Sequence, residues 1–131
     1  MADKLSITKS EQGGVVLFRL DGMLNANTEV EFVEAARREK ASGARYLLVD
    51  MGGVVMITSA GLRALHDAMY IFTPRAEIDT YQKANPGDLY KSSYFKLAGA
   101  TTNVYSILNL AGFLHNIPIF PDVKQALESF K

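Results

Sequence analysis

The chain has 131 residues, of which 48% are apolar and 21% are charged, close to the average for a folded globular protein. A chain of this length removes roughly two-thirds of its unfolded surface from water on folding, so it needs no disulfide or metal ion for stability. Fourteen basic and 14 acidic residues give a net charge of zero, which excludes strong electrostatic attraction to nucleic acid or to an anionic membrane. The absence of cysteine excludes disulfides, thiolate catalysis and zinc–thiolate sites.

The chain has no signal-type segment near its start and no apolar run of the ~18 residues that a membrane-spanning helix requires. Its length fits one domain. We therefore expect a single domain over residues 1–131 in the cytoplasm, without nucleic acid or a membrane as partner.

The first 20 residues have the pattern of a β-hairpin. Leu5 and Ile7 alternate with hydroxyl residues, and residues 11–14 are polar and end in two glycines. Residues 15–20 then form a second, mostly apolar run. Two strands joined by a turn are therefore predicted.

A helix is predicted over residues 29–41. Thr28 precedes Glu31 by three residues, which is the spacing of a capping box, where each side chain binds the backbone N–H of the other residue. Polar and charged residues on one side leave a single apolar stripe. The predicted core face of this helix consists of Val30, Val33 and Ala36.

A buried strand and a second helix come next. Residues 46–49 are continuously apolar and too few for a surface helix, which indicates a central strand parallel to a neighbour. The helix begins after residues 58–61 and ends before Pro74, because proline cannot continue a helix without losing a hydrogen bond. Its apolar residues at helical spacing are Leu62, Leu65, Met69 and Phe72.

Residues 75–93 are polar and show no sustained apolar period, so we predict a long loop. Such loops are usually functional or mobile. Residues 94–98 predict a further strand, a helix ends at Gly112, and residues 117–120 predict a last short strand before Asp122 caps a terminal helix. The order β-β-α-β-α-β-α-β-α predicts a sheet with parallel pairings after the opening hairpin.

No pattern in the sequence indicates an enzyme, a metal site or a cofactor site. His66 and His115 are the only histidines, and neither belongs to a convincing set of metal ligands. Ser59 and His66 are seven residues apart on one predicted helix, about 10 Å of rise, which is too far for a catalytic hydrogen bond. The glycine pairs at residues 13–14 and 52–53 lack the spacing of phosphate-binding loops and are interpreted as turns.

One local pattern concerns the helix entry at residues 58–62. Thr58 and Ser59 place two hydroxyls where the chain enters a helix, at an end that has unpaired backbone N–H groups and a positive dipole. From the residues alone, the commoner interpretation is a serine N-cap, which stabilises a helix by about 1 kcal/mol.

Residues 50–62, Asp-Met-Gly-Gly-Val-Val-Met-Ile-Thr-Ser-Ala-Gly-Leu, resemble the signature segment of STAS domains, the family of bacterial anti-sigma factor antagonists. In that family a strand ending in Asp leads to an Asp-Ser-Ser-Gly-Leu-like helix entry. Residues 16–27 resemble the family's second strand and Gly-x-Leu-Asp turn, and residues 104–120, which include Phe113, resemble its late helix and short strand. The resemblance implies an α/β fold with a mixed four- to five-stranded sheet, helices mainly on one face, and an insert at about residues 75–93.

The resemblance also implies a regulatory protein-binding module that catalyses no reaction. A typical member binds a serine-kinase anti-sigma factor and thereby frees a sigma factor. Phosphorylation of a Ser or Thr at the helix entry ends that binding, and a cognate phosphatase resets the switch. The implied protein is cytoplasmic, needs no cofactor, and is a monomer or weak homodimer.

The helix entry departs from the family pattern. Ala60 occupies the usual phosphate-acceptor position and Thr58 replaces the acidic residue before it, which leaves Ser59 as the first candidate acceptor and Thr58 as the second. Asn25 stands where the family's turn has an acidic residue. The partner-binding surface implied by the resemblance consists of Asn25, Thr58, Ser59, Ala60, Gly61 and Arg63.

Two questions stay open at the level of the sequence. Asp50 is either a structural loop-capping residue, which we favour, or a partner contact. The alternative function is a non-phosphorylated scaffold or a small-ligand-binding STAS-like domain, in which the insert and its Tyr81, Tyr90 and Tyr94 cover a pocket. An ordered loop whose tyrosines pack on the sheet edge is the simpler interpretation of the insert.

Overall fold

A computed structural model describes residues 4–112 and 115–131. The elements in chain order are β1 (Leu5–Gln12), β2 (Val15–Leu24), α1 (Glu29–Ala41), β3 (Tyr46–Ile57), α2 (Ser59–Phe72), α3 (Arg75–Ala84), β4 (Phe95–Ala98), α4 (Thr102–Leu110), β5 (Ile119–Phe120) and α5 (Val123–Glu128). Within these residues, no helix is both long and apolar enough to cross a membrane.

The five strands form one mixed sheet in the order β1-β2-β3-β4-β5. The opening hairpin is antiparallel and every later pairing is parallel, as predicted. Strands β2 and β3 are longer than predicted and end at Leu24 and Ile57. They stay paired beyond Asp50 because two register shifts accommodate extra residues in β3, the second of which skips Val55.

The helices lie mainly on one face of the sheet, as predicted. The larger core cluster joins one face of β2, β3 and β4 to α1, α2 and α4. A smaller cluster on the opposite face is covered by α5, whose buried residue is Ala126. The sheet therefore has one fully covered face and one that α5 covers in part.

The predicted core face and cap of α1 are partly wrong. Phe32, Ala35 and Ala36 are buried, whereas the side chain of Val30 is 66% exposed. The hydroxyl of Thr28 does not cap the helix, so no capping box forms. It accepts a hydrogen bond from the backbone N–H of Asn25 at 3.0 Å and thus stabilises the turn before the helix.

The prediction of a long irregular loop over residues 75–93 is wrong, because its first half forms α3. None of the residues of α3 is buried, and its two large apolar residues at helical spacing, Ile78 and Tyr81, are only half-buried. Two such residues are too few for a sustained apolar period. The second half is attached to the core. Tyr90 and Ser92 are buried, and the hydroxyl of Ser92 lies 2.7 Å from that of Thr73.

The last third of the chain follows the predicted order with shorter elements. Helix α4 buries Val104 and Leu108, and β5 contains two residues where four were predicted. Asp122 caps α5, because its carboxylate accepts a hydrogen bond from the backbone N–H of Gln125 at 2.8 Å. Phe113 lies outside the described residues.

Candidate functional site

Two turns meet at the carboxyl ends of the adjacent parallel strands β2 and β3. Leu24 and Ile57 are paired in the sheet, and the backbone N–H of Thr58 donates to the carbonyl of Leu24 at 3.1 Å. The residues that follow the two strands therefore lie together around an open depression of about 470 Å³. The depression is lined by Asn25, Ala26, Asn27, Thr58, Ser59, Ala60 and Arg63.

Gly61 lies below this surface rather than on it. It is buried in the first turn of α2, and a Cβ atom at this position would lie 2.2 Å from the carbonyl oxygen of Leu24. A side chain here would separate α2 from the end of β2. Glycine is therefore required for the close approach that brings the two turns together.

Three consecutive residues at the helix entry have different surroundings. Thr58 is the N-cap residue of α2, and its Oγ1 is buried with no hydrogen-bond partner among the described residues. Ser59 is the first residue of α2 and is exposed, whereas Ala60 is buried. The interpretation of Ser59 as an N-cap is therefore wrong, and Ser59 carries the accessible hydroxyl of the two candidate acceptors.

Asn25 is 8% exposed and belongs chiefly to its own turn. Its Oδ1 accepts a hydrogen bond from the backbone N–H of Asn27 at 3.0 Å, and its Nδ2 lies 3.9 Å from Sδ of Met23. An asparagine at this position orders the loop by the same kind of bond that an aspartate forms. It does so without adding a negative charge to the depression.

The charges at the depression favour an anion. Arg63 is exposed, forms no ion pair within the described part of the chain, and is the charged member of the lining. The 14-residue helix α2 has no acidic residue in its first turn, so its positive dipole end is not neutralised. A negatively charged group on Ser59 is therefore compatible with the folded structure.

Asp50 has structural partners away from the depression. Its Oδ2 accepts from Arg19 Nη1 at 3.2 Å, and its Oδ1 accepts from the backbone N–H of Gly52 at 2.9 Å. It lies inside β3 and not at a strand end as the resemblance implies. These bonds hold the first register shift of β3, which supports the structural interpretation of Asp50.

Sequence reasoning missed an exposed apolar rim beside the depression. The run of residues 54–57 buries Val54 and Ile57, but Val55 is 68% exposed and Met56 is 47% exposed. Met56 pairs in the sheet with Met23, whose sulfur contacts Asn25. Nothing in an unbroken apolar run indicates this exposure, because it results from the register shift that skips Val55.

The tyrosines of residues 75–94 hold α3 to the rest of the chain. The hydroxyls of Tyr90 and Tyr94 both donate to the carboxylate of Glu77, the latter at 2.9 Å. Tyr81 donates to Asp88 at 3.0 Å. Their hydroxyls therefore link α3 to the residues between it and β4.

No histidine is among the residues that line the depression. Burial lowers the pKa of His66 below its ordinary value of 6.5, and its ring lies 6.0 Å from that of Tyr70. Over residues 4–112 and 115–131, no three histidine or carboxylate side chains are grouped so that they could hold a metal ion.

The sequence profile of the STAS domain matches residues 6–76, which is more than half of the chain and includes most of β1 and all of β2, α1, β3 and α2. The chain belongs to the STAS domain family. A comparison with curated proteins gave no match.

Solved structures share this STAS fold at low sequence identity. An anti-sigma factor antagonist from Mycobacterium paratuberculosis superposes with a TM-score of 0.74 and 18% identity, over 99% of this chain and 97% of that one. The phosphorylated form of the Bacillus cell fate determinant SpoIIAA superposes with a TM-score of 0.61 and 12% identity, over 96% of this chain and 100% of that one. A sulfate transporter family protein from Wolinella succinogenes superposes with a TM-score of 0.62 and 18% identity, over 92% of this chain and 87% of that one. The fold is thus that of anti-sigma factor antagonists and of a transporter-family protein.

Proposed function

We propose that this STAS domain is a regulatory binding module that acts as an anti-sigma factor antagonist. In this proposal it binds a serine-kinase anti-sigma factor at the depression between the two turns. Phosphorylation of Ser59 ends the binding, and a cognate phosphatase restores it. The protein works in the bacterial cytoplasm as a monomer or weak homodimer, binds neither nucleic acid nor a membrane, and has no catalytic activity or cofactor of its own.

The observation that carries this proposal is the position of Ser59. Ser59 is an exposed residue that lines an open depression, while the neighbouring Thr58 hydroxyl is buried and Ala60 has none. A kinase active site needs access to the acceptor oxygen, which favours Ser59 over Thr58. The phosphorylated form of SpoIIAA has the same fold, which supports modification as the means of control.

The apolar rim supports a protein as the partner. Val55 and Met56 expose large apolar side chains directly before the depression. Methionine is flexible and polarizable, which suits it to protein–protein contacts. An apolar rim beside an exposed serine fits a protein that both binds this surface and modifies it.

The switch follows from charge. The kinase would transfer the γ-phosphoryl group of ATP to Ser59 Oγ, with release of ADP and of the hydroxyl proton. The product carries about −1.5 to −2 charges at neutral pH, placed in the centre of the contact surface. The N-terminus of α2 stabilises that charge in the free protein, so the modified domain stays folded while the complex is disfavoured.

The test uses purified serine kinases of the anti-sigma type encoded near the gene for this protein. Each is incubated with the domain and ATP, and the phosphate is located by mass spectrometry. We expect one phosphate on Ser59, no incorporation in Ser59→Ala with binding retained, and weaker binding of Ser59→Asp. Ser106→Ala is the matched control, because Ser106 is an exposed helical serine on α4. Phosphate on another residue, or full incorporation in Ser59→Ala, contradicts the proposal.

A scaffold without phosphorylation is the second candidate, and Ala60 at the usual acceptor position is the observation that favours it. A scaffold binds its partner at the same depression in a manner that ATP does not change. Stable binding of a kinase with no phosphate incorporated on the domain would support this candidate over the switch.

A further inference from the structure

Arg63 lies one helical turn after Ser59 on the same side of α2. Both residues are exposed and both line the depression. Side chains four residues apart on a helix have Cβ atoms about 5–6 Å apart, so the guanidinium reaches a group attached to Ser59 Oγ. Arg63 forms no ion pair within the described residues, and Asp67, four residues further along α2, lies outside ion-pair distance of it.

The lining of the depression changes sign when Ser59 is modified. The unmodified lining has a formal charge of +1, which comes from Arg63, because its remaining residues are neutral. A phosphate adds about −1.5 to −2, which leaves a sum of about −0.5 to −1. A surface that attracts an acidic group then repels it.

We propose that Arg63 transmits the modification of Ser59: the phosphate binds the guanidinium across one helical turn and withdraws it from a carboxylate of the partner. This inference rests on the proposed phosphorylation of Ser59. A guanidinium binds phosphate oxygens through two parallel hydrogen bonds, which holds the phosphate along the helix surface. The partner that fits the unmodified surface has an acidic side chain opposite Arg63 and apolar residues opposite Val55 and Met56.

The pairing is measured on the full chain with phosphoserine incorporated at position 59 through an amber codon, so that neither kinase nor partner is needed. Phosphorus NMR gives the midpoint of the second ionisation of the phosphate, which is ordinarily near about 6. We expect a lower midpoint in the phosphoprotein, because Arg63 favours the dianion. Arg63→Gln should raise the midpoint by roughly 0.2–0.7 of a pH unit, the size expected for an exposed ion pair, and Arg63→Lys should keep most of the lowering.

Arg37→Gln is the matched control, because Arg37 is an exposed helical arginine on α1 that does not line the depression. We expect its titration to coincide with that of the parent phosphoprotein. If the midpoint of Arg63→Gln equals that of the parent phosphoprotein, the inference is overturned. It is also overturned if both variants shift the midpoint equally, because an equal shift indicates a long-range effect of net charge. Because no kinase takes part, this result is independent of the phosphorylation assay that tests the proposed function.

Discussion

At the scale of single residues, function depends on which atoms the fold leaves accessible. Thr58 and Ser59 carry the same functional group and both line the depression, yet the Thr58 hydroxyl is buried whereas the Ser59 side chain is exposed. The buried hydroxyl of Thr58 lacks a hydrogen-bond partner among the described residues, a condition that costs about 1–3 kcal/mol in a folded protein. Which of the two hydroxyls can react thus depends on where each residue stands in the first turn of α2.

Gly61→Ala tests the close approach of α2 to β2. In an ordinary helix this change stabilises by about 1 kcal/mol, but here the added Cβ meets the backbone carbonyl of Leu24 at 2.2 Å. We expect the free energy of unfolding to fall by about 1–3 kcal/mol, measured by urea denaturation. Gly52→Ala is the control, because the nearest atoms to its added Cβ, at 3.1 Å, belong to side chains and not to the backbone. Stabilisation by Gly61→Ala would contradict the packing described for this site.

At the scale of elements, α2 presents a stripe of small and large residues to the core. Its fully or nearly fully buried residues are Ala60, Gly61, Ala64, Leu65, Ala68, Met69 and Phe72. Small residues let α2 lie close to the sheet and to α1, while the large ones fill the core. This packing therefore sets the position of α2 and of Ser59 and Arg63 near its exposed start.

Leu65 and Leu62 should respond differently to truncation. Leu65 is fully buried, so Leu65→Ala should lower the free energy of unfolding by about 2–5 kcal/mol. Leu62 is partly buried at the edge of the same cluster, so Leu62→Ala should cost less than Leu65→Ala. Urea denaturation of both variants checks this order, and a loss below about 1 kcal/mol at Leu65 is inconsistent with its place in the core.

The hydrogen bond that attaches α3 makes the stability of the protein vary with pH in the alkaline range. Burial, and then the hydrogen bond to Glu77, raise the pKa of Tyr90 above its ordinary value of 10.0. The folded state therefore keeps this proton to a higher pH than the unfolded state does. The corresponding stability is present below about pH 10 and is lost as the pH rises through the folded pKa.

Tyr90→Phe should weaken that dependence. At neutral pH the variant should lose about 1 kcal/mol with its hydrogen bond to Glu77, and above pH 10 its stability should fall less steeply than that of the parent. Urea midpoints from pH 7 to 11 measure the difference. Tyr105→Phe, at an exposed tyrosine of α4, is the control. Parallel curves for parent and Tyr90→Phe would contradict the assigned role of the hydroxyl.

At the scale of the whole molecule, the segment between α2 and β4 is partly peripheral and partly core. The hydroxyls of Thr73 and Ser92 are 2.7 Å apart, so the chain leaves the core and returns to it at nearly the same place. Ser92 Oγ also accepts hydrogen bonds from the backbone N–H groups of Tyr94 and Phe95, both at 3.1 Å. These bonds fix the start of β4.

Two replacements with a six-residue Gly/Ser connection separate these parts. Replacing residues 75–89 removes α3 and leaves the hydroxyl of Tyr90 without Glu77, which should lower the free energy of unfolding by about 1–3 kcal/mol. The shorter connection itself should change stability little, because the entropy of loop closure depends weakly on length. Replacing residues 75–93 also removes Tyr90 and Ser92 and should cost several kcal/mol more. Thermal melts of the two versions measure this difference in stability. Equal melting temperatures would show that residues 90–93 add nothing to the core.

The strands and helices with a clear apolar period were predictable from the sequence. The opening hairpin, the central strand, α2 and the Asp122 cap each follow from local patterns that the fold does not override. The face of α1 was not predictable from the spacing of Val30, because Val30 lies in the first turn of the helix, where its side chain remains mostly exposed. The helix in the insert was not predictable either, because it is held by tyrosine hydroxyls and not by an apolar stripe.

The sequence by itself determined the family, the order of elements and the presence of two hydroxyls at a helix entry, because these depend on residues that are neighbours in the chain. Only the tertiary structure decided that Ser59 is accessible and Thr58 is not, that Gly61 lies against Leu24, and that the two turns form one depression. Those relations join residues more than 30 positions apart through the parallel pairing of β2 and β3. Their register includes two shifts, and such shifts are set by long-range packing that a local pattern does not contain.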